Sequence, residues 1–168
     1  LFTINLDGVA NMPCNPSIGG TGKGHLVFEI DALGGEMGRA ADEVTLQSRM
    51  LNSSKGPAVR SKRVQADRAL YHTVMKKTLE HQSGLRLIQA EIVDFRVEDG
   101  RVRSVITRLG AEWKVRAAVI CTGTYLHGEV IIGEVQYPSG PDGMLPSEGL
   151  DRALLREGVT LQRFKTGT

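Results

Sequence analysis

A glycine-rich stretch near the start of the chain, NMPCNPSIGGTGKGH (residues 11–25), carries the residue types best suited to chemistry. Glycine adopts positive φ freely and lets backbone amides come close to a ligand. A helical pattern follows, and the N-terminus of a helix presents unpaired N–H groups that favour anions. We therefore expect an irregular loop, neither helix nor strand, beside a phosphate, a pyrophosphate or an anionic ring edge. The spacing matches neither a P-loop nor the G-x-G-x-x-G fingerprint, so a tight surface turn is an equally open alternative.

Cys14 lies at the edge of this stretch, where helix amides can lower the pKa of a thiol and activate it as a nucleophile. The competing interpretation is a small packed hydrophobe, the usual role of a lone cysteine. Cys121 falls inside an apolar run, and we expect it in the core. Two cysteines are too few for a disulfide framework, and neither has a metal-type spacing to a histidine. We therefore expect no metal site and a reducing, cytoplasmic location.

Basic residues concentrate in one part of the chain, although the net charge of the 168 residues is only +2. Between positions 55 and 77, seven Lys or Arg stand against one acid, Asp67. The charges of the segment KGPAVRSKRVQADR (55–68) are either hydrated by solvent or bind the phosphates of a nucleic acid. No run approaches the roughly 20 apolar residues of a membrane span, so we expect no membrane partner.

Hydrophobic periodicity predicts an α/β fold with an antiparallel crossover. Predicted helices cover residues 22–35, 35–44, 62–82 and 146–158, the last with Ser147 as its N-cap. Predicted strands cover residues 1–4, 45–51, 85–92, 117–125 and 159–164, and residues 93–116 form an antiparallel β-meander with a hairpin at Asp99-Gly100. The run at 117–125 is continuously apolar, like a buried parallel strand, and it breaks on Thr122-Gly123.

A meander followed by a strand that ends in Thr-Gly is typical of two-dinucleotide-type flavoproteins, and ligands of open α/β sheets bind at such strand ends. We therefore expect the end of the strand at 117–125 and the stretch at 15–20 to line a single flavin pocket.

Three stretches carry a closer resemblance: CNPSIGGTGKGHLVFEIDALGG (14–35), LNSSKGPAVRSKRVQADR (51–68) and FKTGT (164–168). In this order they resemble the tRNA uridine 5-carboxymethylaminomethyl modification enzymes, the MnmG or glucose-inhibited division protein A (GidA) family, over essentially the whole chain. The resemblance implies a glutathione-reductase-type FAD-binding fold and modification of the wobble uridine of tRNA at C5. It also implies FAD as cofactor, NADH and methylene-tetrahydrofolate as co-substrates, the GTPase MnmE as partner, and a homodimer.

The same resemblance implies roles for individual residues. Cys14 matches the cysteine beside the flavin loop, a candidate nucleophile toward C6 of uridine or a proton-transfer group. The implied cofactor-binding positions are Asn15, Pro16, Ser17, Ile18, Gly19, Gly20, Ile92, Thr122, Gly123 and Thr124. The implied positions on the substrate and tRNA side are Lys55, Arg60, Lys62, Arg63, Gln65 and Asp67.

We expect the chain to be an internal piece of a longer protein, because it opens on Leu1 and stops in FKTGT. Residues 1–168 would belong to an FAD-binding domain, with 124–168 starting the following substrate or insertion region. The pyrophosphate-binding glycine loop would precede Leu1, so we expect the chain alone to bind FAD weakly or not at all and to be inactive. Thr21, Cys121 and His127 depart from the family pattern. A folate- and FAD-dependent tRNA uridine methyltransferase, and a non-catalytic tRNA-binding or dimerisation module, are the alternatives.

Overall fold

The computed structural model describes residues 1–164, which divide into two compact units. One unit comprises Leu1 and Asn5–Leu87, and the other comprises Phe2–Ile4 and the chain from Ile88 onward. The strands in the described residues are β1 (Phe2–Thr3), β2 (Ser17–Gly19), β3 (Thr45–Leu51), β4 (Ser61–Ala66), β5 (Ile88–Gln89), β6 (Ile92–Glu98), β7 (Arg101–Thr107), β8 (Glu112–Lys114), β9 (Glu129–Ile132) and β10 (Val135–Pro138). The helices are α1 (Gly24–Ala32), α2 (Glu36–Glu43), α3 (Arg68–His81) and α4 (Leu150–Arg156). The predicted mixed α/β class is confirmed, and no helix within residues 1–164 is long and apolar enough to cross a membrane.

The first unit is built on a three-stranded antiparallel sheet in the order β2-β4-β3. Side chains alternate between the two faces of a strand, so Ile18 of β2 and Ala66 of β4 share one face. That face is covered by α2 and α3, and the buried residues between them form one cluster: Ile18, Ala40, Ala41, Val44, Ala66 and Tyr71. Arg63 and Gln65 of β4 alternate to the opposite face, where they are half-buried.

The predicted helix at 62–82 is wrong in its first residues, because Ser61–Ala66 is the central strand of this sheet. Val64 and Ala66 are buried while Arg63 and Gln65 are not, and this period of two favours a strand. The helix starts at Arg68, where the carboxylate of Asp67 accepts a hydrogen bond from the backbone N–H of Leu70 at 2.9 Å. The helix therefore begins at its cap rather than at the start of the basic run.

The glycine-rich stretch is also more regular than expected, because Ser17–Gly19 forms β2 and pairs with β4. Gly19 has φ +87°, and a Cβ atom there would come closer than 3.0 Å to the carbonyl oxygen of Lys62. The next amide, that of Gly20, donates to the same oxygen at 2.8 Å. Only glycine at position 19 allows this close approach of β2 and β4.

The second unit contains the predicted meander, β6-β7-β8, which is confirmed together with its hairpin at Asp99 and Gly100, both at positive φ. The predicted strand at 85–92 is instead two strands: β5, which pairs in parallel with β1, and the start of β6. Helix α4 packs on the meander through Leu150 and Ala153, which form a cluster with Phe95 and Val105.

Four expectations in the second unit are wrong. Residues 117–125 form no strand, Val119 is 87% exposed, and Cys121 is exposed rather than in the core. A strand needs a hydrogen-bonded neighbour, and none of the described strands pairs with this segment. Residues 159–164 likewise form no strand, and Gly149 rather than Ser147 is the N-cap of α4. Most of the FKTGT stretch lies outside the described residues.

Candidate functional site

The face of the β2-β4-β3 sheet opposite α2 and α3 carries a row of polar side chains. Arg49 of β3 lies directly opposite Arg63 of β4, and Gln47 lies opposite Gln65. Ser17 of β2 completes the row from the other side of β4, where its hydroxyl accepts a hydrogen bond from Arg63 Nη2 at 3.3 Å. We call these five residues the polar sheet face. Three of them (Arg63, Gln65 and Ser17) are half-buried, while Gln47 and Arg49 are exposed.

Cys14 lies three residues before β2 and its thiol is exposed. The described residues of this chain therefore do not bury the thiol as a packed hydrophobe, and its role as a nucleophile stays a prediction. Of the predicted flavin-facing residues that follow, Ile18 is buried in the core, and the carbonyl of Pro16 accepts from the amide of Ala66 at 2.7 Å. Of the others, Asn15 is exposed, Gly19 is half-buried, and Gly20 is buried with its amide bonded to the carbonyl of Lys62.

The predicted substrate-side residues separate into four groups. Lys55 and Arg60 are exposed in the loop that joins β3 to β4. Lys62 alternates to the face opposite that of Arg63 and Gln65. Asp67 is occupied as the cap of α3, which is a structural role. The structure thus brings only Arg63 and Gln65 of this set into the polar sheet face, beside two residues that the sequence analysis passed over, Gln47 and Arg49.

A hydrogen-bond network connects the glycine-rich segment before α1 (residues 15–23, here called the glycine turn) to the loop that joins β3 to β4 (residues 52–60, here called the basic loop). Asn52 Nδ2 donates to Thr21 Oγ1 at 2.9 Å and to the carbonyl of Val59 at 3.1 Å. The hydroxyls of Thr21 and Ser61 lie 3.4 Å apart. Thr21, where an apolar residue is common in the family pattern, therefore anchors this turn at the end of the sheet next to the polar sheet face.

The second predicted flavin segment, Thr122–Gly123–Thr124, is an accessible turn with Gly123 at φ +53°. It leads into a short parallel bridge in which the amide of Ser147 donates to the carbonyl of Tyr125 at 2.8 Å. Ile92, at the start of β6, is half-buried against the core of the second unit. These residues belong to one unit and the glycine turn to the other, so their common flavin pocket stays a prediction.

His127 and Asp151 hold this turn against α4, since His127 Nδ1 lies 2.9 Å from Asp151 Oδ2. Burial raises the pKa of Asp151, but hydrogen bonds from the amides of Arg152 and Gly149 and from His127 outweigh it and hold that pKa below its usual value. The spacing of the two residues along the chain gave no signal of this contact.

Two further carboxylates of the second unit have lowered pKa values. Hydrogen bonds from the Arg156 guanidinium hold the pKa of Asp94 down, against partial burial. Burial raises the pKa of Glu91, but the contact with Arg108 and the amide of Glu148 lower it further than burial raises it. A cavity of about 370 Å³ lies beside these pairs. Because both guanidinium groups are already paired with carboxylates, we do not assign an anion site there.

Comparison with known proteins matches the whole chain, residues 1–168, to the family described as glucose inhibited division protein A. The chain is 56% identical over all its 168 residues to the tRNA uridine 5-carboxymethylaminomethyl modification enzyme MnmG of Alkaliphilus metalliredigens and to that of Caldicellulosiruptor saccharolyticus. It spans 27% of the length of these relatives.

Solved structures agree with this match. The structure of Aquifex aeolicus GidA superposes with a TM-score of 0.86 at 48% identity, covering 92% of this chain and 26% of that one. The GidA-related protein from Thermus thermophilus has a TM-score of 0.51 at 21% identity, covering 68% of this chain and 51% of that one, and shows a similarity of fold alone. With the fold, the motifs and the family match in agreement, the chain belongs to the glucose inhibited division protein A family.

Proposed function

We propose that this chain is part of an FAD-dependent enzyme that modifies the wobble uridine of tRNA at C5. The observation that carries the proposal is the placement of an exposed thiol, Cys14, three residues before the strand that completes a basic polar sheet face. The names of the relatives support tRNA uridine as the substrate class. The basic loop around Lys55 and Arg60 supports a polyanionic substrate on the same unit.

Cys14 is the proposed catalytic residue. C5 of uridine is a poor nucleophile, and addition of a thiolate to C6 makes it reactive, because the added electron pair is delocalised onto C5 and the C4 carbonyl. C5 then bonds to a one-carbon unit and later loses its proton, and the thiolate leaves C6 to restore the ring. The proposed role of this chain is to position the thiol and to hold the uridine next to it.

The glycine turn fits a flavin in its backbone geometry. Gly19, Gly20 and Gly22 all have positive φ, and a Cβ atom at Gly22 would meet open space. A planar ring can therefore approach the backbone at Gly22 without meeting side chains, whereas Gly19 and Gly20 lie against Lys62 and Leu51. The residues proposed to hold FAD remain Asn15 to Gly20 in the first unit and, in the second unit, Ile92 and Thr122–Thr124. When bound, FAD reduced by NADH would carry the one-carbon unit given by methylene-tetrahydrofolate.

The same proposal includes the GTPase MnmE as partner, a homodimer as the working form and the cytoplasm as location, which the resemblance to the family implies. We further propose that the chain by itself binds FAD weakly and is inactive. Purified chain without flavin absorbance would support this last point, whereas stoichiometric yellow protein would contradict it.

The test of Cys14 uses a protein of family length that carries this chain, expressed in cells that lack their own enzyme. Cys14→Ser is compared with Cys121→Ser, a matched control because both thiols are exposed. Mass spectrometry of tRNA nucleosides is expected to show modified wobble uridine with Cys121→Ser and none with Cys14→Ser. Full modification with Cys14→Ser would remove Cys14 from the mechanism, and absence of modification by the unchanged protein would refute the proposed function.

A further inference from the structure

The two arginines at the centre of the polar sheet face lie side by side on adjacent strands. Arg49 and Arg63 are direct cross-strand partners, so their Cβ atoms lie about 5 Å apart. Like charges in this position destabilise a sheet. The only hydrogen bond to another side chain that either guanidinium makes in the described residues is that of Arg63 to Ser17, a neutral group.

Three arginines of the meander region behave differently, although Arg101, the first residue of β7, also forms no ion pair in the described residues. Arg96, Arg103 and Arg108 of the meander region each pair with a carboxylate of their own sheet or its flank, namely Glu112, Glu98 and Glu91. Within residues 1–164, no ion pair involves Arg49 or Arg63. The pair is therefore a concentrated positive charge that the described chain leaves without an acidic partner.

The neighbours of the pair define the kind of anion it suits. The next cross-strand pair along the same face is Gln47 with Gln65, whose amides donate and accept hydrogen bonds, and the hydroxyl of Ser17 lies beside them. Guanidinium forks bind phosphate oxygens, while neutral amides and hydroxyls bind sugar hydroxyls and base edges. A row of this composition on an open sheet face matches an unpaired strand of RNA, in which phosphate, sugar and base are all accessible.

We propose that Arg49 and Arg63 bind backbone phosphates of the substrate RNA and that Gln47 and Gln65 contact the adjoining nucleotide. This deepens the proposed function and rests on it, since it names the part of the chain that holds the RNA beside Cys14. Arg49 is the new assignment: it lies outside the basic segment at 55–68, and β3 brings it to the face. Replacing Arg63 would also remove its hydrogen bond to Ser17, so Arg49 is the better residue to replace in the test.

The test measures the binding of an unmodified tRNA transcript to a protein of family length across a series of KCl concentrations. Arg49→Ala is expected to weaken binding about tenfold near physiological salt, the effect of losing one hydrogen bond to a charged group. The slope of log affinity against log salt is expected to fall by about 0.7, the value for one contact to single-stranded backbone. Arg49→Lys should keep the slope while losing part of the affinity, because lysine retains the charge but not the fork.

Lys77→Ala is the matched control, since it removes one exposed positive charge from α3 of the same unit. It is expected to leave both affinity and slope unchanged. Arg49→Ala should also leave the melting temperature unchanged or raise it, because it relieves a like-charge pair; a structural role for Arg49 would lower it.

Two outcomes overturn the inference while leaving the proposed function intact: Arg49→Ala binds tRNA with the original affinity and slope, or it weakens only FAD or NADH binding, so that the pair serves a dinucleotide. If the unchanged protein neither binds tRNA nor modifies uridine, both the inference and the proposed function are refuted.

Discussion

Replacement of Gly19 by alanine tests whether the close approach of β2 to β4 is what fixes the glycine turn. At φ +87° an alanine is strained by about 1–2 kcal/mol, the cost of the left-handed region for an L-residue. Its Cβ atom would also come closer than 3.0 Å to the carbonyl oxygen of Lys62, so one strand must move. Overpacking of this kind costs about 1–3 kcal/mol. We therefore expect Gly19→Ala to lower the free energy of unfolding by about 2–5 kcal/mol.

Gly22→Ala is the matched control, because Gly22 also has positive φ but a Cβ atom there meets nothing within 4 Å. It should lose only the backbone strain, about 1–2 kcal/mol. Urea denaturation followed by far-UV circular dichroism gives both values, and hydrogen exchange of the Gly20 amide, which donates to Lys62, reports whether β2 has separated from β4. Equal losses in the two variants, or an unchanged exchange rate at Gly20 in Gly19→Ala, would refute the steric argument.

Two further predictions concern the elements that hold the site. Asp67→Ala removes the cap of α3 and should lower the free energy of unfolding by about 1 kcal/mol in the same urea assay, with Asp42→Ala, an exposed acid in the last turn of α2, as a control that costs less. Because Asp94, Glu91 and Asp151 have pKa values lowered by folding, their contribution is present at neutral pH and is lost as the pH falls through the ordinary carboxyl range of about 4 and below. The fluorescence of Trp113, the one tryptophan of the chain, should report acid unfolding of the second unit, and Asp94→Asn should make that transition shallower; a transition unaffected by this change would contradict the assignment.

The elements that the sequence predicted correctly have strong local signals. The meander follows from alternating apolar residues and from Asp99-Gly100, a dipeptide that adopts positive φ at both positions. Helix α1 follows from helical spacing ended by Gly34, also at positive φ. In both cases the residues that decide the conformation are neighbours in sequence, so the local pattern alone is sufficient.

The wrong predictions concern segments whose conformation depends on distant partners. Ser61–Ala66 is too short for its period of two to stand out before a longer helical pattern, and it is a strand because β2 and β3 pair with it from both sides. Residues 117–125 have the composition of a buried strand, but composition does not supply the neighbours that a strand requires. The cap at Asp67 is a local signal for the true start of the helix, and the placement of this residue on the substrate side stays a prediction.

The misassigned strand also changes which basic residues can act together. On a helix, Gln65 would lie beside Lys62 and nearly opposite Arg63, and the basic segment would be a diffuse charge. On a strand, alternation places Arg63 and Gln65 on one face and Lys62 on the other, and cross-strand pairing adds Arg49 and Gln47 from a segment with no basic motif. A diffuse charge would make loss of Lys62 and loss of Arg49 equivalent for tRNA affinity. The cross-strand arrangement predicts that Arg49→Ala lowers tRNA affinity more than loss of Lys62 does. This holds although only Lys62 lies within the motif that carries the family resemblance.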